Sequence, residues 1–355
     1  MPAAGVEARD MALGTFDLVG AAEIAGARPL ADAFNRKITY LRVSVTDRCN
    51  LRCVYCMPEA GLPWIPKREI LTYEEIAYLV EAAAAVGVRS VRLTGGEPLV
   101  RRDFVDLVRS LAAVPGIEDL SLSTNGLLLA PLAHELAAAG LRRVNLSLDT
   151  LREDRFAAIA RRPGLARVLE GLDAAIAAGL GPVKLNCVVI RGQNDDEIAA
   201  FAAMTRERPV HVRFIELMPV EENLDLQREA WVGAPEILDR VRAIGALAPV
   251  PGPNGNGPAR YYAFDGAPGT VGVISPLSHD YCETCNRVRL SADGRLRLCL
   301  FGDNDIDLRT PLRAGASRER IAEILRGAMH VKPERHHLRL GERASAMRAF
   351  SEIGG

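Results

Sequence analysis

The sequence predicts an α/β fold: an incomplete, open parallel βα barrel followed by a smaller C-terminal module. Three observations carry this expectation. Six segments, 39–46, 88–94, 118–124, 142–149, 182–190 and 210–217, are rich in Val, Ile and Leu, as parallel strands covered on both faces are. Helical patterns lie between most of them. After residue 218 the chain changes to short strand-like pieces and Pro/Gly-rich loops. Six βα units are too few for an eightfold barrel. An open barrel is therefore the first reading and a doubly wound open sheet the second.

Residues 1–36 include "GTFDLVGAAEIAGA", which is only mildly apolar and is interrupted by Asp17 and Glu23. No basic start leads into a clean apolar stretch, so this segment reads as a partly disordered extension rather than a signal peptide. The barrel is assigned to 37–248. Within it, Thr72 with Glu75 and Asn194 with Glu197 read as capping boxes at helix starts. Phe104, Leu107, Val108 and Leu111 recur at helical spacing, as do Leu165, Val168, Leu169 and Leu172. "PVPGPNGNGPAR" (249–260) is a linker. Short strands are expected beyond it at 261–265, 269–275, 288–292 and 295–300, inside a module spanning 249–355.

Composition narrows the function classes. A net charge of -1 over 355 residues leaves no field that draws the chain to nucleic acid or a membrane surface. No apolar run is long enough to suggest a membrane span. Seven cysteines, an odd number, argue against a secreted disulfide scaffold, and a reducing cytoplasm is the expected location. Only Lys37, Lys67, Lys184 and Lys332 are lysines among the 44 basic residues, so a lysine inside a motif stands out.

Directly after the first strand, "TDRCNLRCVYCMPEAG" holds Cys49, Cys53 and Cys56 in a Cys-x3-Cys-x2-Cys pattern. Three thiolates can hold three irons of a 4Fe–4S cluster and leave the fourth iron open; a zinc or purely structural set is the alternative. The pattern, with Tyr55 before the last cysteine, resembles the radical S-adenosylmethionine (SAM) superfamily. There the methionyl end of SAM chelates the open iron, and the segment matching "LTGGEP" (93–98), through Gly96, contacts the SAM amino group. A second trio, Cys282, Cys285 and Cys299, is spaced Cys-x2-Cys-x13-Cys in "YCETCNRVRLSADGRLRLCLF". By spacing alone this is equally a zinc site with His279 as fourth ligand.

The two trios together resemble the MoaA family, the GTP 3′,8-cyclases of molybdenum-cofactor biosynthesis. The matching pieces are "RKITYLRVSVTDRCNLRCVYCMPEAG", "RLTGGEPLVRRD", "STNG", "NLSLDT", "KLNCVVIRGQNDDE", "RFIELMP", "ISPLSHDYCETCNRVRLSADGRLRLCLF" and the terminal "IGG", and they span 37–355. The resemblance implies a barrel of the radical SAM type and two 4Fe–4S clusters, with SAM at the first and the guanine of GTP at the second. It places Tyr55, Gly96, Ser147 and Met218 at SAM. It places Arg42, Arg92, Thr124, Lys184, Arg213, Arg287, Val288 and Arg289 at GTP, where guanidinium forks suit phosphate oxygens. Ser90 does not supply a further basic residue beside Arg92.

The resemblance further implies that a 5′-deoxyadenosyl radical removes hydrogen from C3′ of GTP and that the ribose then joins C8. It also implies that the tail glycines Gly354 and Gly355 reach into the site. The implied partners are a flavodoxin- or ferredoxin-like electron donor, cyclic pyranopterin monophosphate synthase as the next enzyme, and a second copy in a homodimer. Cys187 belongs to neither trio and is expected in the core. The rival readings are another radical SAM enzyme with an auxiliary cluster, such as a peptide-modifying one, and a non-catalytic metal-binding sensor.

Overall fold

In the computed structural model, which describes residues 29–219, 223–253 and 257–342, strands and helices alternate as expected. β1 (Tyr40–Ser44) is followed by α1 (Tyr73–Ala85), β2 (Ser90–Thr94), α2 (Phe104–Ala112), β3 (Asp119–Thr124) and α3 (Ala133–Ala138). Next come β4 (Arg143–Ser147), α4 (Glu153–Ala160), α5 (Leu165–Ala177), β5 (Val183–Val189), α6 (Ile198–Glu207) and β6 (Val210–Glu216). α7 (Leu224–Ala230) and α8 (Ala234–Arg242) lead to β7 (Ala248–Val250), β8 (Arg260–Ala263), β9 (Thr270–Ile274), β10 (Arg287–Leu290), β11 (Arg295–Arg297) and β12 (Asp305–Asp307). α9 (Arg309–Arg313) and α10 (Arg318–Met329) follow. All six expected barrel strands form, and β7 and β12 are additions that the sequence did not signal. No helix among the described residues is long and apolar enough to cross a membrane.

The strands make one open sheet, ordered β12-β11-β10-β1-β2-β3-β4-β5-β6-β9-β8-β7. From β10 through β1–β6 to β9, every neighbouring pair is parallel. The outer strands β11, β12, β8 and β7 pair antiparallel. Strands from beyond residue 249 therefore extend both edges of the barrel sheet instead of forming a sheet of their own. Part of the expected extension also packs: Leu30 is buried, and its N–H donates to Val86 O at 2.8 Å.

The strands are not apolar on both faces, and this corrects the sequence reading. Leu41, Val43, Val91, Leu93, Leu120, Leu122, Val144, Leu146, Leu185 and Val212 pack with helix residues such as Leu79, Leu107, Leu111, Leu172 and Phe201. The alternate residues point the other way, because successive side chains of a strand leave on opposite faces. They are Arg42, Arg92, Ser121, Asn145, Lys184, Arg213 and Arg289; all are buried except Arg42, which is intermediate. The barrel thus has an apolar outer layer under its helices and a polar, cationic lumen. Each fully buried Leu or Val of the outer layer contributes about 1.5–3 kcal/mol. Cys187 belongs to that layer, as expected.

The Thr72–Glu75 capping box forms: Thr72 accepts from Glu75 N, and Glu75 accepts from Thr72 N at 2.8 Å. The Asn194–Glu197 box does not. Asn194 Oδ1 accepts from Ile190 N and its amide donates to Asp149 O, both at 2.7 Å. Glu197 accepts from Thr150 Oγ1 at 2.6 Å and from Leu151 N at 2.7 Å. Buried main-chain groups at the ends of β4 and β5 need partners more than the helix end does, and they capture both side chains.

Glu216, fully buried at the end of β6, accepts from Ala234 N (2.9 Å), Leu277 N (2.9 Å), Ser278 N (3.1 Å) and the Ser278 hydroxyl. This carboxylate ties the barrel to the loop that leads to the second cysteine trio. Glu216→Ala leaves three main-chain donors without their acceptor, at about 1–3 kcal/mol each where burial persists. The thermal unfolding midpoint is expected to fall clearly, and less in Glu216→Gln, which keeps one acceptor oxygen. An unchanged midpoint in the Ala variant would show that the loop is held by other contacts.

Candidate functional site

Cys49, Cys53 and Cys56 sit on the loop that leaves β1 and line a cavity continuous with the lumen. Two main-chain bonds fasten this loop to the exit of β2: Gly96 N to Thr46 O and Glu97 N to Arg48 O, both 2.8 Å. The approach leaves no room for side chains. A Cβ at Gly96 would stand 2.3 Å from Arg48 O, and one at Gly95, where φ is +154°, would stand 2.5 Å from Thr46 O. These glycines, read from the sequence as a close approach to a ligand, are needed first to admit the cysteine loop itself.

Polar groups behind the loop complete its support. Glu97 accepts from Leu99 N (3.0 Å), Thr124 Oγ1 (2.7 Å) and Asn125 N (2.7 Å). Burial pushes its carboxyl up to about 7 against those bonds. The Asn125 amide donates to Asn50 Oδ1 at 2.7 Å, inside the cysteine loop. Tyr55 donates from its hydroxyl to Asp149 Oδ2 at 2.7 Å, and Asp149 Oδ1 accepts from Val188 N at 2.8 Å. Burial pushes Asp149 up to about 6. Glu97, Asn125 and Asp149 escaped sequence reasoning. They lie inside "GGEP", "STNG" and "NLSLDT", just after strands, where each passes for a turn residue. Thr124 lines the cavity, but its hydroxyl hydrogen is committed to Glu97.

The cations meet through strand register. Arg42 on β1 is aligned with Arg92 on β2 and with Arg289 on β10. Arg213 Nε donates to Asn186 Oδ1 at 2.8 Å, and Lys184 is aligned with Asn145 and His211. Asn145, with its amide oxygen turned toward them, accepts from Arg92 and Arg213. Burial and neighbouring cations hold Arg42, Arg92, Lys184 and Arg289 below their usual range. Arg92 is pushed down to about 10, and Lys184 to about 6 by burial and then by Arg213, Arg143 and Arg92. Arg42 is lowered by burial and Arg289, and Arg289 by burial and Arg287. Nε of Arg287 and Nε of Arg289 are buried without a hydrogen-bond partner among the described residues. Tyr40, unnoticed in the sequence, stands among them: burial raises its phenol, but Arg92, Arg42, Arg287 and Arg143 outweigh it. Such an arrangement suits a polyanion.

Cys282 and Cys285 precede β10, which runs parallel to β1, and Cys299 follows the antiparallel β11. The second trio therefore belongs to the end of the strands where β1 begins, and the first to the end where β1 finishes. A strand of this length separates them by roughly 15 Å. Arg287 stacks on Tyr281, 5.5 Å from the ring centre, and Tyr281 faces the same cavity as the first trio. Tyr55, Gly96, Ser147 and Met218 also line that cavity, as do Arg42, Arg92, Arg213, Arg287 and Arg289. Lys184 is fully buried and is not among the residues lining that cavity.

Val288 alternates with Arg287 and Arg289, so its side chain is buried in the apolar outer layer and only its main chain faces their neighbours. Gly354 and Gly355 lie outside the described residues. Two sets of three cysteines fit iron–sulfur clusters by donor chemistry. Thiolates that bind different irons need no common point, and among the described residues no three His, Cys, Asp or Glu side chains converge on one.

Comparison with known proteins agrees with this geometry. Residues 43–205 match the Radical SAM superfamily, and residues 210–338 match Molybdenum Cofactor Synthesis C. A GTP 3′,8-cyclase of Pelotomaculum thermopropionicum is 52% identical over 327 residues, 92% of this chain and 100% of that protein. Those of Moorella thermoacetica (51%) and Heliobacterium modesticaldum (53%) match over the same shares of both chains. Among solved structures, Streptococcus suis SuiB bound to S-adenosylmethionine superposes with a TM-score of 0.54 at 15% identity, covering 76% of this chain and 63% of that one. At that identity the likeness speaks for the fold alone.

Gly96→Ala tests the cysteine loop. The added methyl must displace Arg48 O, so the variant is expected to fold but to lose most of the iron held by the first trio. Iron analysis after anaerobic reconstitution reads this directly. Full iron retention with an unchanged absorption spectrum would show that the loop tolerates the methyl.

Proposed function

This chain belongs to the GTP 3′,8-cyclase family of radical SAM enzymes, and we propose that its chemistry runs in the lumen between the cysteine trios, each holding a 4Fe–4S cluster. The enzyme cyclises GTP in molybdenum-cofactor biosynthesis, toward 3′,8-cyclo-7,8-dihydro-GTP. The belt of buried cations between the trios carries the reading. Arg42, Arg92 and Arg289 share one register level, and an anion as dense as a triphosphate would relieve their mutual repulsion.

Within this reading each residue has a task. Cys49, Cys53 and Cys56 hold the first cluster; Tyr55, Gly96, Ser147 and Met218 orient SAM beside it. With SAM, that cluster supplies the 5′-deoxyadenosyl radical that starts the cyclisation. Arg42, Arg92, Arg213, Lys184, Arg287 and Arg289 bind the triphosphate and hold the ribose toward the first trio. Cys282, Cys285 and Cys299 hold the second cluster near the guanine. Leu300, Ile215 and Ile274 line the same cavity and help to keep water from a reactive intermediate. The tail glycines complete the site. A flavodoxin- or ferredoxin-type donor, the synthase that takes the product and a second copy of the chain are the expected partners.

The direct test is anaerobic incubation of the reconstituted full chain with SAM, dithionite and GTP deuterated at C3′. Deuterium is expected in 5′-deoxyadenosine, together with a nucleotide isomeric with GTP. Deuterium-free 5′-deoxyadenosine would refute abstraction from that position. About eight irons per chain are expected, four for each trio. Cys53→Ala should abolish SAM cleavage, whereas Cys285→Ala should stop cyclisation and retain some uncoupled cleavage. Equal loss of cleavage with the first cluster intact would refute this division.

Lys184 generates a pH prediction. In the free protein its ammonium titrates at about 6, so it is neutral at pH 8. A bound triphosphate raises that value, so GTP binding takes up a proton. GTP affinity is expected to rise as pH falls from 8 to 6, by up to about tenfold per pH unit, and to level off below 6. The slope in Lys184→Met, where only the titration of GTP itself remains, should be shallower. Equal slopes would remove Lys184 from the triphosphate site.

A further inference from the structure

Lys332 is one of four lysines in the chain, and it is buried, with 3% exposure. A buried ammonium needs compensation. Its Nζ donates to Arg287 O at 3.1 Å and to Leu298 O. Both acceptors are main-chain carbonyls beside the second trio: Leu298 immediately precedes Cys299, and Arg287 lies two residues after Cys285. The Cys285 thiol itself approaches the same Arg287 carbonyl at 4.0 Å. One side chain from the C-terminal segment thus bridges the segments next to Cys285 and Cys299.

A second cation braces the third cysteine. Arg36 donates to Cys282 O at 2.7 Å and to the carbonyls of Glu334 (2.6 Å) and Pro333 (2.7 Å). Its charge is matched by Asp32, whose carboxylate accepts from Arg36 Nε at 2.6 Å. The acceptors of Lys332 are carbonyls, which leave its charge uncancelled. The two cations therefore share a bracing role but differ electrostatically. The Cys285 and Cys299 thiolates exert the largest favourable influence on the Lys332 ammonium, in opposition to its burial.

We propose that Lys332 is a positioning and charge-setting residue for the second iron–sulfur site: its ammonium, held between the strands of Cys285 and Cys299, makes the cluster there easier to reduce. The inference rests on the second trio holding a cluster. A cluster with three thiolate ligands is negative, and one-electron reduction adds one more negative charge without making or breaking a bond. A fixed cation in a poorly solvated site favours that reduced state. Arg36, neutralised by Asp32, acts on geometry only.

The test is an EPR-monitored dithionite titration of the full chain, with Cys53→Ala as background so that the second cluster alone reports. Lys332→Gln is expected to keep about four irons in that background and to shift the midpoint negative. A tenfold fall in the one-electron reduction equilibrium constant corresponds to about 59 mV. Lys332→Arg should restore the midpoint, and the double variant Asp32→Asn/Arg36→Gln, which removes the neutral pair together, should leave it in place even where iron occupancy falls. A Lys332→Gln midpoint equal to the parent's overturns the proposal. So does equal iron loss in Lys332→Gln and Lys332→Arg, which would mark a packing role. Absence of iron from the Cys53→Ala parent itself would instead refute the second cluster, and the inference with it.

Discussion

Like charges buried together inside a barrel are the constraint on which the rest of this structure depends. Arg42, Arg92, Arg213 and Arg289 are each no more than intermediate in exposure, and most are buried. They repel one another in a medium that screens them poorly. Among the described residues, Asn186 accepts from Arg213, Ser121 from Arg92, and Asn145 lies between the two. The apolar outer layer supplies the stability that permits such a lumen. A lumen lined in this way suits a compact polyanion.

Around that belt the fold separates two reactive ends. The first trio leaves β1 at its finish, and the second enters β10 at its start; the parallel pairing of β1 with β10 makes these opposite ends of one wall. A substrate bound to the belt is therefore flanked by both. Precision at the first end comes from main-chain contact, because Gly95 and Gly96 let the cysteine loop lie directly on the exit of β2. Precision at the second end comes from side chains of remote segments, Arg36 and Lys332, which hold the carbonyls around Cys282, Cys285 and Cys299. The two ends are built by different means because the first loop follows a strand of the barrel core, whereas the second trio lies in the loops before β10 and after β11.

Much of this was legible in the sequence. Apolar alternation located the six barrel strands to within two residues at either end, since burial of one face imposes the pattern locally. The trios were visible as spacings, and the alternation of Arg287 with Arg289 as a two-residue period. What misled was averaging. Strands such as "YLRVS" and "SVRLT" are apolar enough overall to pass for strands buried in hydrocarbon on both sides, so the polar lumen went unseen. The Asn194–Glu197 pair carries the local pattern of a helix start, while Asp149 and Thr150, which claim it along with nearby Ile190, arrive from the end of β4.

By itself the sequence determined the order of strands and helices, the two cysteine trios and the residues that alternate onto one strand face. These follow from near neighbours in the chain, through side-chain period and backbone preference. Only the tertiary structure decided that the strands beyond residue 249 flank the barrel on both sides, and that Arg289 levels with Arg42 and Arg92. It alone set Lys332 against the carbonyls next to Cys285 and Cys299. Those outcomes depend on strand pairing and register between distant segments. Pairing is settled by which faces can be buried together, and no local pattern encodes it.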